Sequence, residues 1–393
     1  MLTNIQFLRA VAAYLVVFVH LSELLPETPI TTFLHNTGYS GVDLFFVISG
    51  FIMVYTTSRK KVSASQFLLN RIKRIVPLYY LVTFFVFGIA ITFPFILQNT
   101  SPDFYVLLKS LAFVPFEKSP GRIYPLYFLG WTLNYEMFFY LIFALSLSLW
   151  YEMRVTLCAT IILGLVLFGL YIRHSSNVIL YFYSQPIMLD FSLGMILGLL
   201  RDQISTAMRR ISALPWLTLS IGIVSLSTAS SFLPIAPSFY APPTNTFVTF
   251  GLPAALIVMT AIGLDDIRTR GQPWRFFQEI GNASYSIYLT HFFIVGALTA
   301  FANHIHLPPT LRIILALITL SLTAIFGICL YRFFELPIIS ILTRRISRGA
   351  RLPTRLDTGA IRNELTQRDV EGAAPLSESD SCRSVPRRVV PLE

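Results

Sequence analysis

The chain has 393 residues, of which 54% are hydrophobic, 14% aromatic and only 13% charged, against a charged share of about 25% in soluble domains. That balance excludes a soluble globular domain and reads as an all-α, polytopic membrane bundle. The net charge of +10 raises nucleic acid as a partner, but the basic residues gather on one side of the predicted topology, which membrane insertion alone explains, so no nucleic acid is expected.

Runs of about 20 apolar residues place ten spans near 6–24, 41–57, 76–98, 127–149, 155–172, 178–200, 213–233, 246–264, 283–302 and 312–334. The shorter run at 104–116 reads as a re-entrant or interfacial piece. With the N-terminus inside, the inner loops hold Arg59, Lys60, Lys61, Arg71, Lys73, Arg74, Arg154, Arg201, Arg209, Arg210, Arg268, Arg270 and Arg275, and the tail adds ten arginines from Arg344 to Arg388. The outer loops hold little more than Lys109, Lys118, Arg122 and Arg173. Cytoplasmic loops carry the Lys and Arg excess, so both termini are expected in the cytoplasm of a protein of the inner (plasma) membrane. The first stretch is too long and too poor in small residues at its end for a cleaved signal peptide, and is expected to remain as the first membrane helix.

That first stretch, QFLRAVAAYLVVFVHLSEL, carries Arg9 and His20 eleven residues apart. Eleven residues make about three helical turns and about 16 Å of rise, so both side chains lie near one face. Ionisable groups in a membrane helix are costly to desolvate and point to function. In the second span, GVDLFFVISGFIM, Asp43 falls at the depth of His20 and is the natural group to orient an imidazole; Glu23, one turn beyond His20, competes for that role. Arg71, Lys73 and Arg74 in RIKRIVPLYY join Arg9 at the inner level, where guanidinium forks suit phosphate oxygens but where topogenic and lipid-binding charge is the plain alternative. Glu136, in GWTLNYEMFFYLIF, is a buried carboxylate that needs a partner or a proton; it could act as acid or base, bind a sugar hydroxyl, or sit in a structural ion pair. In GNASYSIYLTHFFIV, Ser284, Tyr288 and His291 share one helical face, with His291 either catalytic or a hydrogen-bonding member of the bundle, and Tyr285 and Tyr288 either functional or packing. Arg332 and Glu335, in YRFFELPI, are spaced for a helix-terminal salt bridge. His35, His174, His304 and His306 fall in outer loops without metal-ligand spacing, and no metal is expected.

Everything from 1 to 342 reads as one membrane domain. From 343 to 393 the chain is basic and lacks aromatics and apolar periodicity, so a disordered cytoplasmic tail is expected, its first arginines on anionic headgroups. Cys158, Cys329 and Cys382 form neither a disulfide framework nor a metal set. No internal repeat and no matching pair of broken helices is visible, which counts against a transporter.

The openings IQFLRAVAAYLVVFVH and GVDLFFVISGFIM, then RIKRIVPLYY, WTLNYE, SYSIYLTH and FFELP, come in an order that resembles the acyltransferase-3 family of polytopic acyl-CoA-dependent transferases, over about residues 4–340. IQFLRA and FFVISGFIMVYTT look most like its bacterial exopolysaccharide-production acetyltransferases. The resemblance implies transfer of an acyl group, usually acetyl, from cytoplasmic acyl-CoA to a hydroxyl of an extracytoplasmic or lipid-linked glycan. It implies His20 as the catalytic residue and Arg9 as the donor-binding residue, and it puts Asp43, Ser49, Arg71, Arg74, Glu136, Tyr285 and His291 on recurring motif positions. Many members carry an added extracytoplasmic domain; none is expected from the residues of this sequence.

A thioester is already activated, so the remaining tasks are to take the proton from the acceptor hydroxyl and to stabilise the oxyanion. Neutral imidazole, with an intrinsic pKa of about 6.5, suits the first near neutral pH. Ser49, Tyr288 and backbone amides are all eligible for the second, and direct transfer and an acyl-enzyme on His20 are both open. The rival readings are a polytopic glycan or lipid transporter without acyl-transfer chemistry and a structural membrane protein with incidental polar contacts.

Overall fold

The computed structural model describes residues 2–95, 102–172, 177–232, 246–264 and 272–349. The predicted loop residues Arg173, His174, Arg268 and Arg270, and the tail beyond Gly349, lie outside them. The chain divides into the units Met1–Leu342 and Thr343–Glu393.

In chain order the helices are α1 (Thr3–Leu21), α2 (Pro29–Gly38), α3 (Ser40–Arg59), α4 (Ala64–Thr92) and α5 (Phe104–Leu111); then, after a two-stranded hairpin of β1 (Glu117–Ser119) and β2 (Arg122–Ile123), α6 (Trp131–Leu149), α7 (Arg154–Ile172), α8 (Val178–Tyr183), α9 (Leu189–Leu199), α10 (Arg201–Arg210) and α11 (Leu214–Phe232). The chain continues with α12 (Leu252–Gly263), α13 (Gln272–Asn282), α14 (Ser284–His304), α15 (Pro309–Leu330) and α16 (Leu336–Gly349). Local chemistry marks several starts. Thr28 and Thr31 form a reciprocal cap on α2 with Pro29 at its first position, and Ser63 caps α4 by accepting from the Gln66 amide at 3.2 Å, each satisfying an amide that the first turn leaves open.

Each of the ten predicted spans meets an apolar helix. Among the described residues, seven helical stretches are long and apolar enough to cross a membrane, and the pair Arg201–Arg210 and Leu214–Ala229, bent by 111°, makes an eighth if it is one broken span. The other two are shorter, Pro186–Leu199 and Phe247–Gly263. The predicted span at 178–200 breaks at Pro186, whose missing amide cannot continue α8, and the one at 246–264 opens with a π-helical turn over Phe247–Gly251. The 104–116 run is the short α5, as its length suggested, capped by Asp103.

Small residues let the central helices approach closely, because between membrane helices packing supplies the attraction that water supplies elsewhere. On α3, a Cβ at Gly41 would stand 2.6 Å from the Ala12 carbonyl of α1, and one at Gly50 would stand 2.1 Å from the Phe191 carbonyl of α9. On α9, Gly194 lies against the Val47 carbonyl, where a Cβ would come within 1.9 Å. The neighbouring core is aromatic: Phe191 stacks at 4.3 Å on both Phe46 and Phe139. Gly194→Ala is therefore expected to cost about 1–3 kcal/mol, since the obstacle is backbone that cannot move aside. Gly164→Ala on α7, where nothing lies within 4 Å, should be neutral or stabilising, as alanine is the better helix former. Thermal unfolding in detergent compares the two.

Candidate active site

One cavity of about 760 Å³, its mouth included, opens among α1, α3, α4, α6 and α14. Arg9, Ser49, Arg71, Arg74, Glu136, Tyr140, Tyr285 and Tyr288 line it with a set of aliphatic and aromatic side chains. Four of the six sequence motifs thus supply polar residues to one space, and a fifth, GVDLFFVISGFIM, contributes Ser49.

α1 carries Arg9 into this cavity rather than towards lipid; its residue is 7% exposed, and its Nη1 donates to Gln6 Oε1 at 3.2 Å. On α4, Arg71 and Arg74 are three residues apart and share the cavity face, whereas Lys73, buried, does not line it. The Arg71 guanidinium lies over the rings of Phe67 and Tyr140, at 5.5 and 5.8 Å, which holds a cation without spending its donors. Its Nε is buried with no hydrogen-bond partner among the described residues.

Glu136 answers these charges. Ser49 Oγ donates to its Oε1 at 3.0 Å and the Tyr140 hydroxyl to the same oxygen at 2.5 Å. Two hydroxyls on one oxygen leave Oε2 for the cavity. Tyr140, missed in the sequence, lies one turn after Glu136, a spacing that could have shown it. The Ser49 proton is committed to Glu136, and Tyr288 donates to the Leu129 carbonyl at 2.9 Å while meeting Thr132 Oγ1 at 2.7 Å. Both side-chain hydroxyls eligible for an oxyanion hole are therefore already engaged. Tyr285 is likewise tied, donating to the Ile75 carbonyl at 2.7 Å.

His20 is 2% exposed and sits outside the residues that line the cavity, beyond the Tyr288 wall. Its ring lies 5.2 Å from that of His291 and 5.2 Å from that of Phe292, with Phe128 at 5.7 Å. Tyr288, which does line the cavity, has its ring 6.2 Å from His291. Depth alone suggested Asp43 or Glu23 as the partner of His20. The ionisable groups that face it are instead His291 and His35, while the Asp43 carboxyl faces Asp190 of α9 and Thr246. Equal depth does not set helix rotation, and the close α3–α9 packing turns Asp43 towards α9. His35 also departs from its reading as a loop residue: it belongs to α2, and its Nδ1 meets Ser22 Oγ at 2.8 Å and the Val19 carbonyl at 3.0 Å at the end of α1.

The expected Arg332–Glu335 pair is replaced as well. Arg332 bonds Glu279 of α13 at 2.6 Å, and Glu335 accepts from Ser286 Oγ at 2.8 Å. The cause is a π-helical turn over Tyr331–Glu335, which widens the helix so that residues three apart no longer share a face. Glu335, 4% exposed, has Arg74 and Arg9 as its charged neighbours, so a second carboxylate backs the arginine cluster.

A family described as an acyltransferase domain matches residues 2–332. The exopolysaccharide production protein ExoZ of Rhizobium meliloti (strain 1021) is 31% identical over 319 residues, covering 79% of this chain and 93% of that protein. No solved structure matches. The match runs through every motif that builds the cavity, and the chain belongs to the acyltransferase-3 family: it is a membrane acyltransferase.

Proposed function

We propose that the protein moves an acyl group, acetyl by preference, from cytoplasmic acyl-CoA to a hydroxyl of an extracytoplasmic or lipid-linked glycan of the exopolysaccharide type, in the inner membrane with both termini cytoplasmic. The observation that supports this most is the convergence of Arg9, Arg71 and Arg74 on one cavity, with an imidazole pair beyond its wall. Three guanidinium groups against one lining carboxylate favour an anionic ligand, and their forks match phosphate oxygens. A nucleotide-linked thioester carries its reactive carbon on a long arm, and the rise of about 16 Å from Arg9 to His20 along α1 is the distance that arm has to cover. The resemblance to ExoZ, a protein named for exopolysaccharide production, supports a glycan acceptor.

In this reading Arg9, with Arg71 and Arg74, holds the donor, and His20 removes the proton from the acceptor hydroxyl as its oxygen attacks the thioester carbon. The C–O bond forms, the C–S bond breaks, and the proton passes to the departing thiolate. Glu136, with one oxygen pinned by Ser49 and Tyr140, offers its other oxygen to a hydroxyl or amide of the bound substrate. The protein reconstituted in lipid nanodiscs with radiolabelled acetyl-CoA should release CoA and label a glycan acceptor. Mass spectrometry of surface glycans with and without the gene should show loss of an ester-linked acetyl. Absence of any CoA release from acetyl-CoA and from succinyl-CoA would contradict the proposal.

A further inference from the structure

We propose that His291 is the positioning residue for His20, doing with an imidazole what a carboxylate does for a histidine base elsewhere; this rests on the reading of His20 as the proton acceptor. His291 is fully buried. Its Nδ1 lies 2.7 Å from the Tyr288 carbonyl and 3.2 Å from that of Ile287, one turn back on α14. Carbonyl oxygens only accept, so the single proton of the neutral ring is on Nδ1 and the lone pair is on Nε2. That nitrogen is buried and has no hydrogen-bond partner among the described residues, an arrangement that costs stability unless a donor uses it.

The neighbouring ring able to supply one is His20, with centroids 5.2 Å apart and planes at 46°. Phe128 and Phe292, themselves 4.7 Å apart, pack edge-on around His20 and hold its ring beside that of His291. The turn of α14 that precedes His291 is held by two hydrogen bonds. The Tyr288 hydroxyl donates to Leu129 O at 2.9 Å, and the Tyr127 hydroxyl donates back to Leu289 O at 2.7 Å. A group that orients a catalytic side chain needs this kind of support.

The two rings are in contact but are not hydrogen-bonded to one another in this structure. The proposed role needs a small rotation of either ring, after which His291 Nε2 accepts from one nitrogen of His20 and the other nitrogen of His20 is left deprotonated towards the acceptor hydroxyl. When that hydroxyl loses its proton to His20, the N–H towards His291 strengthens as an imidazolium donor. The proton then leaves with the thiolate as the thiol, and both rings return to their neutral forms.

The test uses the full-length protein in nanodiscs with His291→Phe, which fills the space without an acceptor, and His291→Gln, whose side-chain carbonyl restores one. Second-shell losses of about 10–100-fold are expected in kcat for His291→Phe, with KM for acetyl-CoA unchanged, and His291→Gln should recover most of the loss. Nitrogen-15 NMR of histidine-labelled protein, assigned with His20→Gln and His291→Gln, gives a readout that needs no turnover: His20 should occupy one tautomer in the parent protein and two in His291→Phe. Retention of a single His20 tautomer in His291→Phe overturns the proposal, as does a kcat within about twofold of the parent or failure of both variants to fold. If the parent protein itself moves no acyl group, the functional reading fails while the tautomer measurement still decides the relation between the two rings.

Discussion

Replacement of His20 is expected to lower acyl transfer by about 10²–10⁴-fold, the usual contribution of a positioned general base, with binding of the donor retained. Alanine is the simplest substitution, and the protein should remain folded and monodisperse in detergent. Because the ring packs edge-on against Phe128 and Phe292, alanine also opens a void in the core, for which large-to-small replacements cost a few kcal/mol. His20→Gln fills more of that space and lacks a basic nitrogen. It should match alanine in activity and exceed it in thermal stability. CoA release from acetyl-CoA, read beside a melting curve, separates the chemical role from the packing role, and normal transfer by either variant would remove His20 from the mechanism.

Loss of Arg9 should act on the donor. Hydrogen bonds to charged groups are worth about 1.5–3 kcal/mol, which corresponds to a rise of about 10–150-fold in KM for acetyl-CoA in Arg9→Gln. The KM for the glycan acceptor should be little changed. Glutamine is the informative replacement, because it keeps a polar side chain beside Gln6. Arg71 and Arg74 line the same cavity, so some affinity should survive in the single variant and fall further when Arg74 is also replaced. Equal losses for donor and acceptor would mean that Arg9 shapes the site as a whole rather than holding the donor.

Several features of this site were readable from residue type and spacing. Arg9 and Glu136 stood out because a charge in an apolar run is expensive to bury, and the structure puts both on one cavity. Arg71 and Arg74 follow from helical spacing, which also separates them from Lys73. The alignment of Ser284 and Tyr288 on a single face of α14 has the same origin, and both line the cavity. The errors share a different cause. Depth pairs Asp43 with His20, yet its side chain faces Asp190 and Thr246. Arg332 and Glu335 were paired by spacing, yet the π-helical turn between them sends one to Glu279 and the other to Ser286.

By itself, then, the sequence determined the membrane class, the apolar segments and the side chains whose burial demands a reason, because hydropathy and the helical period act within a single stretch of chain. Only the tertiary structure decided which of those side chains meet. Helix rotation is set by contacts such as Gly50 and Gly194 against the facing backbone, and local helix pitch by turns such as Tyr331–Glu335. A change of rotation or pitch moves a charged group to another neighbour without altering its depth, which is why Asp43 faces α9 and why an imidazole, rather than a carboxylate, stands beside His20.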